Sequence, residues 1–292
     1  MVGSLPVDQI AGLFRRNVGS FRLATVHDGM LDTAFDHVLG VEPAAVEAAH
    51  RAARRSLPPQ LSCNTFVIDS GRHIALVDAG CGATTRSAGK HLAGLVALGI
   101  QPEAVDTLLM THLHRDHAAG LIDARGQAVF PRAELVVHNS ELAFWGDEAN
   151  MARLSDGQKQ DFLIATAVLR TYASRLRPVG AGEVLPGISA VPTPGHTPGH
   201  TAWLLASGAD RLLIWGDVVH LPVIQFANPE ASVVYDVDSR VAAATRARLL
   251  DMVAADGLPV AGVHLDFPCF GAVEARTDGG FSYVPQIWTS TL

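Results

Sequence analysis

The sequence predicts a layered α/β fold whose two halves share one core, and three observations carry this. The 292 residues are 48% hydrophobic and 17% charged, a globular composition with ample apolar content for a large core. Short strand-like apolar runs alternate with longer helical ones, and the order strands, helix, strands, helix occurs twice. No fixed-period repeat or low-complexity linker divides the chain, so a single domain over 1–292 is expected.

Residues 21–26, Phe-Arg-Leu-Ala-Thr-Val, alternate in polarity and run into His27-Asp28-Gly29, a strand ending in a tight turn. Pro43 opens a run of good helix formers to Arg55, closed by Leu57-Pro58-Pro59. The core is expected to begin after that breaker, which leaves about 1–60 as an N-terminal extension. Residues 65–69 and 73–78 read as a hairpin around Ser70-Gly71, and Asp78-Ala-Gly80 ends its second strand. A helix over about 87–98 stops at Gly99, and a buried strand over 107–111 feeds a histidine-rich loop. Further strands are expected at 135–138, 188–192, 202–206, 212–215 and 260–264, helices at 161–176 and 239–255, and a hairpin around Asp278-Gly279-Gly280.

Charge narrows the range of partners. The formal net charge is −7, and Lys90 and Lys159 are the only lysines, which argues against nucleic-acid binding. Arg51, Arg54 and Arg55 share a predicted helix with Glu47 and read as a solvated face. Met1-Val-Gly-Ser-Leu-Pro6 has neither a charged nor an apolar leader region, and no stretch approaches 18 uninterrupted apolar residues. No membrane span and a cytoplasmic location are therefore expected. Cys63, Cys81 and Cys269 are odd in number and form no Cys-x-x-Cys pair, which argues against a disulfide framework and a cysteine-based zinc site.

The chemistry lies in His112-Leu-His114-Arg-Asp116-His117, at the end of an apolar strand. Residues i and i+2 of an extended chain project to one side, so His112 and His114 can share a metal while Asp116 and His117 face a second. His196, Asp217 and His264 each stand at or just beyond the end of a predicted strand. Together the seven residues suffice for two adjacent metals sharing one carboxylate. Histidine and carboxylate suit zinc and also accept manganese, cobalt or iron. There is no Gly-x-Ser-x-Gly elbow for a serine nucleophile, and Gly80-Cys-Gly82 is followed by Thr85 where a dinucleotide loop needs glycine.

In order and approximate spacing, these seven residues resemble the signature of the metallo-β-lactamase superfamily. The resemblance covers about 20–290 and implies a four-layer αβ/βα sandwich: two mixed sheets face to face, helices outside, metals at one sheet edge. Within the superfamily the chain is similar to the methyl parathion hydrolase group and its lactonase relatives. The carrying segments are Leu76-Val-Asp-Ala-Gly80, Thr111-His-Leu-His-Arg-Asp-His117, Gly195-His-Thr-Pro-Gly-His200, Gln225-Phe-Ala-Asn-Pro229 and His264-Leu-Asp-Phe-Pro268.

The resemblance implies that His112, His114 and His196 hold one metal and Asp116, His117 and His264 the other, with Asp217 bridging. A hydroxide between the ions would attack a lactone or ester carbonyl of the N-acyl homoserine lactone type, and phosphotriesters also fall within the implied range. Asp116 would orient that hydroxide and shuttle its proton. Asp78 and His200 would support the ligands from behind, while Trp145, His220 and Phe226 would line the substrate pocket. A homodimer is also implied. Two other readings share part of the ligand set: a glyoxalase II-like thioester hydrolase and a mononuclear iron persulfide dioxygenase. All seven positions being filled favours two metals over one. The commonest dizinc β-lactamases place cysteine where this chain has Asp217, which argues against antibiotic hydrolysis.

Overall fold

Strand pairing begins earlier than the sequence pattern suggested. The structure, a computed structural model, describes residues 9–290; the hexapeptide read above for a leader lies outside the described residues. β1 (Gly12–Val18) and β2 (Phe21–Asp32) form a hairpin. The chain then leaves for β3 (Val38–Leu39) and α1 (Pro43–Ala52) and returns as β4 (Gln60–Asp69), which pairs with β2 along its length. The placement of about 1–60 ahead of the core is thereby corrected, since β2 is an interior strand. Its side chains alternate between two buried faces, with Leu23 toward the opposite sheet and Ala24 and Val26 toward the flanking helices. Only the stretch 33–59 stands apart.

The first half continues through β5 (Ile74–Val77), α2 (His91–Ala97), β6 (Thr107–Leu109), α3 (Arg115–Ala118), β7 (Glu134–His138), α4 (Asn139–Trp145), α5 (Glu148–Met151), α6 (Asp156–Thr171) and β8 (Leu176–Val179). The second half comprises β9 (Gly182–Leu185), β10 (Ile188–Pro192), β11 (Thr201–Ser207), β12 (Asp210–Ile214), α7 (Pro222–Gln225), β13 (Ser232–Val233), α8 (Ser239–Ala255), β14 (Val260–Ala261), β15 (Phe270–Ala275) and β16 (Phe281–Pro285). Helix α8 falls where its pattern placed it. Helix α6 starts earlier than expected because Ser155 and Gln158 cap it reciprocally, and its expected end, Leu176, instead opens β8.

Two mixed sheets result, ordered β1-β2-β4-β5-β6-β7-β8 and β16-β15-β14-β12-β11-β10-β9, with a separate ribbon of β3 and β13. Their facing sides share one core, in which Phe14, Phe66 and Leu109 of the first meet Trp203, Leu213 and Phe270 of the second. The outer side of the first sheet is covered by α2 and α6 through Leu95, Phe162, Ala165 and Val168. This is why β6 (Thr-Leu-Leu), buried on both sides, shows no polar alternation. Among the described residues no helix is long and apolar enough to cross a membrane.

Strand direction positions the site. β5, β6 and β7 are parallel, as are β12 and β14, and β10 runs in the same sense as β12 because each is antiparallel to β11. The carboxyl ends of β5, β6, β10, β12 and β14 therefore open on one edge of the sandwich, where their loops bring the polar residues together.

Candidate metal centre

Construction of the centre starts at Asp78, which follows β5 with a left-handed backbone (φ 59°). That turn aims its carboxylate at the next loop. Oδ1 accepts the Thr111 N–H at 2.8 Å, and Oδ2 accepts the Thr111 hydroxyl at 2.7 Å and His117 Nδ1–H at 2.7 Å. With Nδ1 engaged, His117 turns Nε2 inward, 3.2 Å from Asp217 Oδ1. The same device recurs. His196 is held through Nδ1 by Asp236 Oδ1 at 2.8 Å, and His264 through Nδ1 by the Ser62 carbonyl at 2.7 Å. Their Nε2 atoms lie 3.2 and 3.1 Å from Asp217 Oδ2. A bond on one ring nitrogen fixes the tautomer and leaves the other a lone-pair donor.

Two groups form. His112, His114 and His196 make one, and Asp116, His117, Asp217 and His264 the other; within each, the ligand atoms lie within 4.8 Å of one another. Asp116 Oδ2 stands 3.5 Å from the Nε2 atoms of both His117 and His264. All seven sequence-predicted ligand positions thus converge.

This donor set fits metal cations. His114 Nε2, His117 Nε2 and Asp217 Oδ1 are buried without a hydrogen-bond partner, a costly arrangement for a protein interior that a bound cation relieves. His112 and His196 face each other Nε2 to Nε2 at 3.2 Å, where a shared cation suits two lone pairs. Burial holds His112 and His114 well below the ordinary histidine range, reinforced by neighbouring imidazoles, so both present neutral nitrogen. Burial also acts downward on His117, but the carboxylates of Asp217, Asp116 and Asp78 outweigh it and raise this histidine. Burial alone would raise Asp217, yet His117, His264 and His112 hold it well below the usual carboxylate range. Against the downward effect of burial, His196 and His264 are raised as well, chiefly by Asp217. His112 and His114 thus present neutral nitrogen directly, while at His117, His196 and His264 a cation would take the place of the proton that the carboxylates favour.

The supporting and pocket residues divide. His200 Nε2 accepts the Asp217 N–H at 2.9 Å and its Nδ1 lies 3.0 Å from the Thr193 carbonyl, so it holds the backbone of Asp217. His220 borders the cavity, with Nε2 3.1 Å from Asp217 Oδ2 and its ring stacked on His264. Trp145 and Phe226 do not border it, which corrects the expectation for both. Trp145 is buried, donating Nε1–H to Glu141, and Phe226 is packed between Trp215 and Tyr283. Residue type alone does not separate a pocket aromatic from a core one.

The cavity above the metal residues measures about 580 Å³, and its walls include Leu31, Leu61, Ile164, Arg115, Asp161 and Tyr235. Asp161 accepts the Arg115 N–H at 3.2 Å, and burial pushes its carboxyl up to about 6. None of these wall residues was singled out from sequence, nor were Asp236 and Glu141. Leu31 and Leu61 continue strands whose pattern signals only burial, and Asp236 lies far along the chain from the histidine it holds.

A family model for the metallo-beta-lactamase superfamily matches residues 58–264. The uncharacterized protein YobT of Bacillus subtilis (strain 168) is 24% identical over 165 residues, 56% of this chain and 65% of that protein. An N-acyl homoserine lactonase of Bacillus sp is 29% identical over 111 residues, 38% of this chain and 37% of that one. The matched stretches therefore span less than two thirds of either relative. Among solved structures, the hydrolase AbOPH in the beta lactamase superfamily superposes with a TM-score of 0.90 at 28% identity, covering 97% of this chain and 100% of that one. AidC, a dizinc quorum-quenching lactonase in complex with a product, superposes with a TM-score of 0.91 at 22% identity, again covering 97% and 100%; at that identity the likeness concerns the fold.

Proposed function

Because this chain belongs to the metallo-beta-lactamase superfamily, we propose that it is a dinuclear metal-dependent hydrolase that opens lactones or cleaves related esters of the N-acyl homoserine lactone type, with phosphotriesters as further substrates. The observation that carries the reading is the convergence of the seven positions into two adjacent groups, with three of the histidines, His117, His196 and His264, anchored through the outward nitrogen. His112, His114 and His196 would hold one ion, Asp116, His117 and His264 the other, and Asp217 both. When bound, the ions supply Lewis acidity, lowering the pKa of water and polarising a carbonyl or phosphoryl oxygen.

The protein groups do the rest. Asp116 Oδ2, at the floor of the cavity, takes a proton from the attacking water and returns it to the departing alkoxide. Leu31, Leu61 and Ile164 offer an apolar wall for an acyl chain, and Arg115 and Asp161 offer polar contacts at the same cavity. Zinc as the resident metal, a homodimer as the assembly and a reducing cytoplasm complete the reading; buried free cysteines at 63, 81 and 269 support the last.

The test is a pH-indicator assay of N-acyl homoserine lactone ring opening by zinc-reconstituted protein, with Asp116→Asn prepared identically. Turnover that falls about 10²- to 10⁴-fold in the variant is expected for a proton-handling carboxylate. Two zinc ions per chain with no lactone turnover would overturn the lactonase reading and leave phosphotriesters and thioesters to be assayed.

A further inference from the structure

Glu141 is a fully buried carboxylate on α4, outside both ligand groups. Buried carboxylates are rare unless well paired, and this one is paired with two different loops. Oε1 accepts the Leu113 N–H at 3.0 Å and Trp145 Nε1–H at 2.8 Å, and Oε2 accepts the Gly199 N–H at 3.0 Å. Leu113 lies between His112 and His114, while Gly199 belongs to the loop that carries His196 and His200. One side chain therefore ties the loop after β6, in the first sheet, to the loop after β10, in the second.

Two further features belong to the same tie. A Cβ at position 199 would come within 2.2 Å of the Glu141 backbone nitrogen, so glycine permits the approach. Trp145, held by its bond to Glu141, sets its ring edge-on to His114 with centroids 5.7 Å apart. The other metal half is anchored differently, His117 by Asp78 and His264 by the Ser62 carbonyl.

We propose that Glu141 is a positioning residue for the His112–His114–His196 half of the centre alone, and that removing its charge weakens one metal position while sparing the other. The proposal rests on the dinuclear reading above. A carboxylate offers acceptors in both directions. A glutamine offers one, so whichever way its amide turns, its NH₂ meets an N–H donor and one loop is released.

The experiment compares wild type and Glu141→Gln, each loaded with zinc and then challenged with a chromophoric chelator while released and retained ions are counted. Wild type is expected to hold two ions. The variant is expected to keep one at wild-type affinity and to lose about 10- to 100-fold affinity for the other, the usual effect of removing an outer partner of a ligand. Adding His264→Ala to the variant should abolish the ion that remains. Melting of the metal-free variant should fall by less than that of the loaded variant, because the released N–H costs both forms alike and the weakened ion costs the loaded form alone. Unchanged affinity for both ions, equal weakening of both, or a metal-free melting point that drops as far as the loaded one would overturn the proposal. If Glu141→Gln does not fold, Trp145→Phe decides: it deletes one bond to Glu141 and should weaken the same single ion, and two unaltered ions would overturn the idea. A wild type with fewer than two ions defeats the dinuclear reading itself, and that control separates the two failures.

Discussion

Asp78 adopts a backbone conformation that costs a residue other than glycine roughly 1 kcal/mol, and in return its carboxylate seats both Thr111 and His117. Asp78→Asn keeps the shape but gives up one acceptor, so that either the Thr111 N–H or the His117 Nδ1–H loses its partner. Metal affinity is expected to fall about 10- to 100-fold in the half containing His117, read by chelator competition, and to weaken also at His112, whose Nδ1 lies 3.0 Å from the Thr111 hydroxyl that Asp78 holds. The gathering of Asp78 and the seven candidate positions was legible in sequence because each stands at or beyond the end of an apolar strand. Asp236 and Glu141 were not, because their partners are distant in the chain and a lone carboxylate carries no mark of burial. Trp145 misled for a related reason: its nearness to His114 is real, but the ring approaches from the core side.

At the scale of elements, α2 begins with His91, buried against Phe130 and bonded through Nδ1 to Thr65. Burial lowers this histidine to about 4, against an upward pull from Asp28. Its folded value lies below the unfolded one near 6.5, so the unfolded state binds the extra proton first, and stability falls as pH drops from above 6.5 toward 4. Between pH 8 and pH 5 this group alone costs about 2 kcal/mol. His91→Gln should therefore show a shallower loss of urea midpoint over that interval than wild type; parallel curves would reject the assignment. Helix α8 was read well because its apolar stripe is long and bounded. Strand β1 and the short strands β8 and β9 were missed, since their partly exposed residues carry little alternation, whereas β15 and β16 form the hairpin expected around Asp278-Gly279-Gly280; β2 was placed outside the core because the proline pair after α1 resembles a boundary.

The whole molecule joins two sheets through one core and, at one edge, through the ligand loops. One cooperative unfolding transition is expected, with near-ultraviolet and far-ultraviolet circular dichroism changing together; separate midpoints would indicate two units. Metal removal should lower the midpoint by about 5–10 °C, since ligand at about 100 times its dissociation constant contributes about 2.7 kcal/mol and each kcal/mol moves a protein of this size by a few degrees. The layered architecture was legible from periodicity together with the family resemblance. The cavity was not, because its walls come from the end of β2, the start of β4, α3, α6 and the stretch before α8, and only the folded chain shows that these meet.

The ligands are drawn from successive strand ends, and the last, His264, follows β14, an interior strand of the second sheet. The three residues of the His112–His114–His196 group are therefore synthesised before Asp217, before Asp236, which anchors His196, and before His264. At about 5–20 residues per second, seconds separate that group from His264 on the ribosome. The order of synthesis thus differs from the order in space: residues that stand within hydrogen-bond distance of one another in the folded centre are made seconds apart, and the centre closes only when β14 is in place.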